Sequence, residues 1–149
     1  MAECFICAKH ADPDAMPGGA IAADEHAVVS HLPLTTPAGT ADSAYLGYLF
    51  VEPRRHVAEL GGLSDAEAAS VGVLAARASA ALEDVVGAEH VYAAVIGHGV
   101  EHVHLHLIAR YPGTPREFWW TRVDEWPQAP TGDAAAVDAF VERLRDAVG

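Results

Sequence analysis

Hydrophobic and polar residues alternate strictly from His102 to Leu107 in the short stretch His102 to Ile108, which reads His-Val-His-Leu-His-Leu-Ile. In a β-strand, successive side chains point to opposite faces of the sheet. The alternation therefore predicts a strand over Glu101 to Ala109, with the three histidines in one row and the apolar side chains between them facing the core. The row indicates a functional site, because imidazole titrates near neutral pH, acts as a nucleophile and binds metals.

Other apolar segments also fit β-structure. The segment Ile21 to Ser30 fits a hairpin, and the aromatic and apolar segment Tyr45 to Val51 predicts a strand. The intervening residues Leu32 to Thr40 contain two prolines and a glycine and are predicted to form a loop. A further strand is predicted over Val91 to Ile96. Only a short glycine-flanked connection joins it to the histidine strand, so we expect the two strands to pair antiparallel.

Two segments show the features of helices. Ser64-Asp-Ala-Glu67 is a capping box, in which each of the two terminal side chains satisfies a free backbone N–H. It opens an alanine-rich helix that Gly87 is placed to end. The apolar positions of this helix follow helical spacing: Val71, Leu74, Ala78, Ala81, Leu82 and Val85. Asp133 is predicted to cap a final amphipathic helix that runs close to Val148.

Length, composition and charge narrow the class of protein. A chain of 149 residues without an internal repeat or linker is most simply one domain over residues 1–149. With 51% hydrophobic and 20% charged residues, it should form a compact soluble globule. A net charge of −12 argues against non-specific binding to nucleic acid or to anionic membranes, but a local site can still hold a phosphate-containing small ligand. No apolar run reaches the length of a membrane span and no secretory signal is evident, so we expect a cytoplasmic protein.

Both cysteines lie in one motif, Cys4-Phe-Ile-Cys7. Without a secretory signal, such a pair fits a metal site or a redox dithiol better than a structural disulfide, and two small buried hydrophobes are the third alternative. His10 continues the same spacing and is a candidate local ligand. The motif alone leaves these interpretations open.

The histidine row also has several interpretations. A solvent-facing polar face would explain one histidine but not three in register. A mononuclear metal site, as in cupin-type proteins, also needs a carboxylate nearby, and none follows the row before Glu117. In the third interpretation, covalent catalysis, the middle residue His104 is the nucleophile and its neighbours donate hydrogen bonds to the substrate.

The row His102-Val-His-Leu-His-Leu-Ile108 resembles in full the His-φ-His-φ-His-φ-φ signature (φ apolar) of the histidine triad (HIT) nucleotide hydrolases and transferases. Gly47 to His56 is similar to the upstream strand of that family, which ends in a Pro-x-x-His turn. The resemblance covers roughly Cys4 to Pro115 and leaves a C-terminal aromatic segment and helix at 116–149. It implies an α+β, HIT-like fold: a mostly antiparallel five-stranded sheet with a long helix and a C-terminal helix. It also implies a homodimer.

The resemblance implies a reaction as well. His104 would attack the α-phosphorus of a nucleoside 5′-phosphate derivative such as a phosphoramidate, an anhydride or a dinucleoside polyphosphate. Water would then hydrolyse the nucleotidyl-histidine intermediate. His106 would bind and polarise phosphate oxygens, and because the uridylyltransferase branch has glutamine at that position, His106 favours a hydrolase. Arg110 could add charge at the phosphate site. The alternatives are a nucleotidyltransferase or phosphorylase, and a nucleotide-binding protein with little turnover.

Some members of the family carry a structural zinc, and all four ligand types of that site are present here. They correspond to Cys4, Cys7, His56 and His102, a Cys₂His₂ set. Such a site would fix the N-terminal segment to the strand that presents His104. In zinc-free relatives the position of His56 instead orients the catalytic imidazole.

Two departures from the family leave the substrate open. Relatives have a polar phosphate-binding loop before the triad, whereas this chain has only Gly97 to Glu101. His98 falls where that loop has glutamine, and it is a candidate phosphate contact or proton donor. The ribose-binding aspartate of many members would fall near His31, and an imidazole cannot accept paired hydroxyl donors as a carboxylate does.

All three tryptophans, Trp119, Trp120 and Trp126, follow the resembling region. They could form a stacking wall on the leaving-group side of the site. They could also pack the C-terminal segment onto the sheet, and we expect packing for at least two of them.

Overall fold

The computed structural model describes residues 3–149, and within them three α-helices surround a five-stranded sheet. The α-helices are α1 (Phe5–Ala11), α2 (Asp65–Val86) and α3 (Ala134–Val148). Short 3₁₀ turns occupy Pro13–Ala15, Leu60–Gly62, Arg116–Phe118 and Trp120–Arg122. The strands are β1 (Ala22–Ala23), β2 (Ala27–His31), β3 (Thr35–Thr36), β4 (Gly39–Thr40), β5 (Ala44–Tyr45), β6 (Tyr48–Pro53), β7 (His90–Val95), β8 (Leu105–Arg110) and β9 (Thr131–Gly132).

The main sheet has the order β1-β2-β6-β8-β7, and each neighbouring pair is antiparallel. The central strand β8 lies between β6 and β7, so that His106 stands opposite Phe50 on one side and Ala94 on the other. The hairpins β1–β2 and β7–β8 lie where the sequence predicts them. The predicted α+β fold with a five-stranded antiparallel sheet, a long helix and a C-terminal helix is confirmed.

The long helix α2 begins and ends as its sequence predicts. The Ser64 hydroxyl accepts a hydrogen bond from the Glu67 amide (3.1 Å), and the Glu67 carboxylate accepts one from the Ser64 amide (2.8 Å). Gly87 ends the helix in the left-handed conformation, at φ 65°. Arg55 forms two hydrogen bonds with the Glu67 carboxylate (2.8 and 3.0 Å), which ties the turn after β6 to the start of α2.

The hydrophobic core lies between one face of the sheet and the helices α2 and α3. It takes alternate residues from the central strands, among them Leu49 and Val51 of β6 and Leu107 and Ala109 of β8. Helix α3 contributes apolar side chains to the same cluster: Val137, Phe140, Val141 and Leu144. The shared core supports the prediction of a single domain over residues 1–149, which itself stays a prediction. The other face of the sheet is left for polar and aromatic side chains.

Three predicted boundaries are wrong. The strand expected over Tyr45 to Val51 is interrupted at Gly47, whose φ of 102° favours glycine, and β5 pairs with β9 outside the main sheet. The expected loop Leu32 to Thr40 contains the small β3–β4 hairpin. The histidine strand pairs only from Leu105, because the Val103 amide donates instead to the carbonyl of Val57, beyond the end of β6 (2.8 Å).

None of the helices in the part of the chain that the structure describes is both long and apolar enough to cross a membrane.

Candidate functional site

The site is built on the sheet face that points away from α2. Tyr48 and Phe50 of β6 and His106 of β8 project from this face, because they alternate with the core residues of the same strands. His104, just before β8, joins them: its ring lies 4.9 Å from the His106 ring and 5.7 Å from the Phe50 ring, centroid to centroid. Two of the three histidines thus share one aromatic-walled surface.

His104 is held in one tautomer. Its Nδ1 lies 2.7 Å from the backbone oxygen of His102. A carbonyl oxygen can only accept a hydrogen bond, so Nδ1 carries the proton and Nε2 keeps a free lone pair. The imidazole is partly exposed. This geometry leaves Nε2 free to act as a nucleophile.

His106 lies deeper and is kept neutral. Burial, and second the charge of neighbouring His104, lower the pKa of His106 to about 4. Its Nδ1 is 2.7 Å from the hydroxyl of Tyr48, whose own pKa burial raises to about 12. The opposite nitrogen, Nε2, is buried and has no hydrogen-bond partner among residues 3–149. His106 therefore keeps one imidazole nitrogen whose hydrogen bond no described residue satisfies.

The first histidine of the row turns away toward the cysteines. His102 is fully buried, and its Nδ1 lies 3.5 Å from the sulfurs of both Cys4 and Cys7, while His56 Nδ1 lies 3.5 Å from Cys7 Sγ. One ligand atom from each of the four residues lies within 4.8 Å of the others. With usual zinc bond lengths, a sulfur and a nitrogen across a tetrahedral zinc are about 3.6 Å apart. The donor set and its spacing fit zinc.

The remaining nitrogen of His102 has a fixed partner. Its Nε2 lies 2.7 Å from the Pro53 oxygen, so Nε2 carries the proton and the lone pair of Nδ1 points to the sulfurs. Burial lowers the pKa of His102, which favours the neutral form that binds metals. His10 is not among the four residues whose ligand atoms lie together, and its Nε2 pairs with Glu52 Oε1 at 3.0 Å.

The sequence model of the HIT domain matches residues 23–113 of the chain. The chain belongs to the HIT domain family. A search of curated proteins found no match. Membership in this family supports nucleotide binding, with hydrolase or transferase activity in general.

Solved structures agree with this assignment at the level of the fold. A zinc-bound histidine triad family protein from Mycobacterium smegmatis has a TM-score of 0.69 at 20% identity, covering 98% of this chain and 93% of that chain. A hypothetical histidine triad nucleotide-binding protein from Sulfolobus tokodaii has a TM-score of 0.71 at 16% identity, with coverages of 97% and 91%. A histidine triad protein from Bradyrhizobium japonicum has a TM-score of 0.64 at 25% identity, covering 87% of this chain and 90% of that chain.

The structure does not bring His98 into the surface formed by His104 and His106. His98 is exposed in the connection between β7 and β8, and its side chain has no hydrogen bond within residues 3–149. Its role at the phosphate stays a prediction.

Arg110 lies on the same face as His106, four residues further along β8, and is engaged elsewhere. It donates a hydrogen bond to the Tyr92 hydroxyl (2.9 Å) and stacks on the Trp119 ring at 3.7 Å. Trp119 in turn donates its indole N–H to the Thr114 oxygen (3.0 Å). These contacts give Trp119 a packing role and leave phosphate binding by Arg110 a prediction.

His31 does not face the site. It is fully buried against Phe140, its Nδ1–H donates to the Leu32 oxygen (3.0 Å), and its Nε2 accepts from the Gly47 amide (3.1 Å). Both nitrogens are satisfied, so His31 ties the end of β2 to the turn before β6. The neighbouring residue Leu32 lines the cavity beside His104 instead.

Sequence reasoning missed Tyr48 and a buried ion pair between Lys9 and Glu52, whose Nζ and Oε2 are 2.9 Å apart. Both charged residues line the cavity of about 80 Å³ that contains His104. A signal was available, because Tyr48, Phe50 and Glu52 alternate along β6 as the histidines do along the next strand of the sheet. The contribution of Lys9 could not be seen in this way, because it comes from a helix distant in sequence.

Proposed function

We propose that this HIT protein is a hydrolase that cleaves a nucleoside 5′-phosphate derivative at the α-phosphorus through a nucleotidyl-His104 intermediate. The observation that carries the proposal is the His104–His102 hydrogen bond of 2.7 Å, which leaves the lone pair of His104 Nε2 free. Family membership supports the substrate class. The substrate is a small molecule, as the net charge of −12 opposes binding to nucleic acid.

In the first step, His104 Nε2 forms a bond to the α-phosphorus while the bond between phosphorus and the leaving group breaks. The leaving group keeps the electron pair and takes a proton from water. The imidazole becomes positively charged, and its Nδ1–H strengthens the hydrogen bond to the His102 oxygen. In the second step, water attacks the same phosphorus and the histidine–phosphorus bond breaks. The products are a nucleoside monophosphate and neutral His104.

His106 would stabilise the negative charge that develops on the phosphate oxygens. If the Tyr48 hydroxyl donates to Nδ1, the proton of neutral His106 sits on Nε2, the nitrogen that has no hydrogen-bond partner within residues 3–149. An Nε2–H group aimed at the reacting phosphate is the kind of fixed donor that lowers a barrier without reorganising. Tyr48 is then a positioning residue that sets the tautomer of His106.

We propose that Cys4, Cys7, His56 and His102 hold a structural zinc, whose donor spacing supports this assignment. When bound, the ion supplies a cross-link between α1, the turn after β6 and the start of the histidine strand. No step of the reaction passes through it. Metal analysis of the purified protein tests the assignment: we expect one zinc per chain, and a folded wild type without bound zinc would contradict it.

We also propose that the protein is a homodimer. Strand β7 is an edge of the main sheet, where unpaired backbone N–H and C=O groups can pair with another chain, and its apolar residue Val95 is 41% exposed. Light scattering of the purified protein should give twice the chain mass. A monomer at micromolar concentration would contradict the proposal.

The hydrolase proposal is tested by turnover. Nucleoside 5′-phosphoramidates and dinucleoside polyphosphates are offered to wild type, to His104→Ala and to a matched control, His26→Ala, which removes a surface histidine. We expect wild type and control to release nucleoside monophosphate, and His104→Ala to lose that activity. Unchanged turnover in His104→Ala would contradict the proposal, and transfer to an added acceptor in preference to water would favour a transferase.

A further inference from the structure

A buried ion pair lies beside the proposed nucleophile and has no part in the mechanism above. Lys9 reaches from α1 across the sheet face, and its Nζ is 2.9 Å from Glu52 Oε2. The two side chains are only 2% and 1% exposed. Both line the cavity that also contains His104 and Phe50. A buried charged pair at this place needs an explanation, since burying charges is expensive unless their hydrogen bonds are satisfied.

Glu52 has a hydrogen-bond partner for each of its carboxylate oxygens, whereas the Lys9 ammonium does not use all of its donors within the described part of the chain. Both carboxylate oxygens of Glu52 are engaged, one by Lys9 and the other by His10 at 3.0 Å. The Lys9 ammonium has three N–H donors, and its one hydrogen bond within residues 3–149 is the bond to Glu52. Its Nζ also lies 5.3 Å from the centre of the Phe50 ring. Lys9 therefore has donors left over, and a group that enters the cavity with an acceptor would satisfy them.

Charge and shape indicate which kind of group that is. Glu52 neutralises the Lys9 ammonium at contact distance, so the pair offers little net attraction to a phosphate. The rest of the cavity wall is largely apolar and aromatic, with Phe5, Leu32 and Pro33 among its residues. Such a wall suits an uncharged planar ring. Phe5, Lys9 and Pro33 also line a second cavity, of about 500 Å³.

We infer that Lys9, held by Glu52, is a specificity-determining residue that reads the nucleobase, favouring bases with an oxo group over those with an amino group at the same ring position. The inference rests on the proposed function. An oxo group accepts a hydrogen bond from the Lys9 ammonium, as lysine does with the O6 atom of guanine, whereas an exocyclic amino group presents donors to donors.

The test compares inosine and adenosine 5′-phosphoramidates. At ring position 6, inosine carries an oxo group and adenosine an amino group. We expect wild type to favour inosine in kcat/KM by roughly tenfold, the discrimination of one good base contact. Uridine and cytidine derivatives form a second pair with the same expected order. Equal kcat/KM values within both pairs would overturn the inference while leaving the hydrolase proposal intact.

The matched variant is the double substitution Lys9→Met with Glu52→Gln, because Lys9→Met alone would leave a buried carboxylate unpaired. A folded double variant should turn over inosine and adenosine derivatives at similar kcat/KM. An equal loss for both substrates, with the preference kept, would overturn the inference and assign Lys9 to the phosphate. Circular dichroism and thermal unfolding show whether the variant is folded. If it is not, the inference is tested by the wild-type ratio of kcat/KM for inosine and adenosine derivatives.

Binding separates this inference from the reaction. Isothermal titration of His104→Ala with inosine and adenosine 5′-monophosphates should show tighter binding of inosine monophosphate by about the same factor. Equal affinities would overturn the inference alone. Absence of binding by either nucleotide would overturn both the inference and the nucleotide-based function.

Discussion

The Cys₂His₂ cluster and the proposed catalytic pair, His104 and His106, use histidines of the same row in different ways. His102 is fully buried, with one nitrogen on a backbone oxygen and the other facing two sulfurs. His104 also donates a hydrogen bond to a backbone oxygen through Nδ1, but its ring is partly exposed, which leaves Nε2 available. His106 has Nδ1 at hydrogen-bond distance from the Tyr48 hydroxyl, and its Nε2 has no partner in the described part of the chain. The partner of one imidazole nitrogen thus decides what the other can do.

Two histidine-to-alanine substitutions should therefore separate catalysis from metal binding. His104→Ala should reduce kcat on the order of 10⁶-fold, the loss that follows removal of a nucleophile, and keep its zinc. His56→Ala should lose zinc and lower Tm by roughly 10 °C, because the metal cross-link contributes to folding. Zinc content, thermal unfolding and steady-state kinetics measure the two outcomes.

His56→Cys is the matched control for the zinc site, because a thiolate can also ligate zinc. It should retain the metal and most of the thermal stability. If His56→Ala kept both its zinc and its Tm, the assignment of His56 and His102 to a structural zinc site would be wrong.

Tyr48→Phe should have a smaller effect, which is confined to turnover and leaves the zinc content unchanged. Removing the hydroxyl frees Nδ1 of His106, and we expect kcat to fall about tenfold, the equivalent of one hydrogen bond, with little change in KM. The ¹⁵N chemical shifts of His106 should report a tautomer protonated at Nε2 in wild type and a mixture in the variant. An unchanged tautomer together with unchanged kcat would show that Tyr48 has only a packing role.

Acid should also destabilise the fold through another histidine, His31, which is buried against Phe140. Burial lowers its pKa from 6.5 to about 4. Between these values the unfolded chain binds a proton at His31 and the folded chain does not, so the free energy of unfolding falls as the pH falls. The expected loss is up to about 3 kcal/mol at full effect.

Urea unfolding at pH 7 and pH 4.5 measures this effect, with His31→Gln as the comparison. The variant should be less stable at pH 7 but should lose less stability than wild type on acidification. Both proteins lose any zinc to the same extent, so the difference between them isolates His31. Identical pH dependence would show that His31 does not contribute to acid sensitivity.

Local signals predicted much of the fold. The capping box at Ser64 and the glycine at the end of α2 are each local signals, since each acts within a few residues of its own end of the helix, and the structure shows both. The two hairpins of the main sheet were also visible, because their strands are adjacent in sequence. The start of β8 was not, since the bond from Val103 to Val57 depends on how the turn after β6 folds back.

The site was predictable where the sequence carries a spaced motif. Cys4, Cys7, His56 and His102 come together as the resemblance implies, although they are up to 98 residues apart. Side chains without a motif were not foreseen. The contact of Tyr48 with His106 follows from strand register, and that of Lys9 with Glu52 from the packing of α1 on the sheet. Neither can be read from periodicity alone.

The most direct test of the account is the intact mass of the protein after brief mixing with nucleoside 5′-phosphoramidates and dinucleoside polyphosphates and a quench without acid. We expect wild type to gain the mass of one nucleotidyl group and His104→Ala to gain nothing. The added mass would also identify the base. An adduct of the same mass on His104→Ala, or turnover by wild type with no adduct under any quench time, would contradict covalent catalysis by His104.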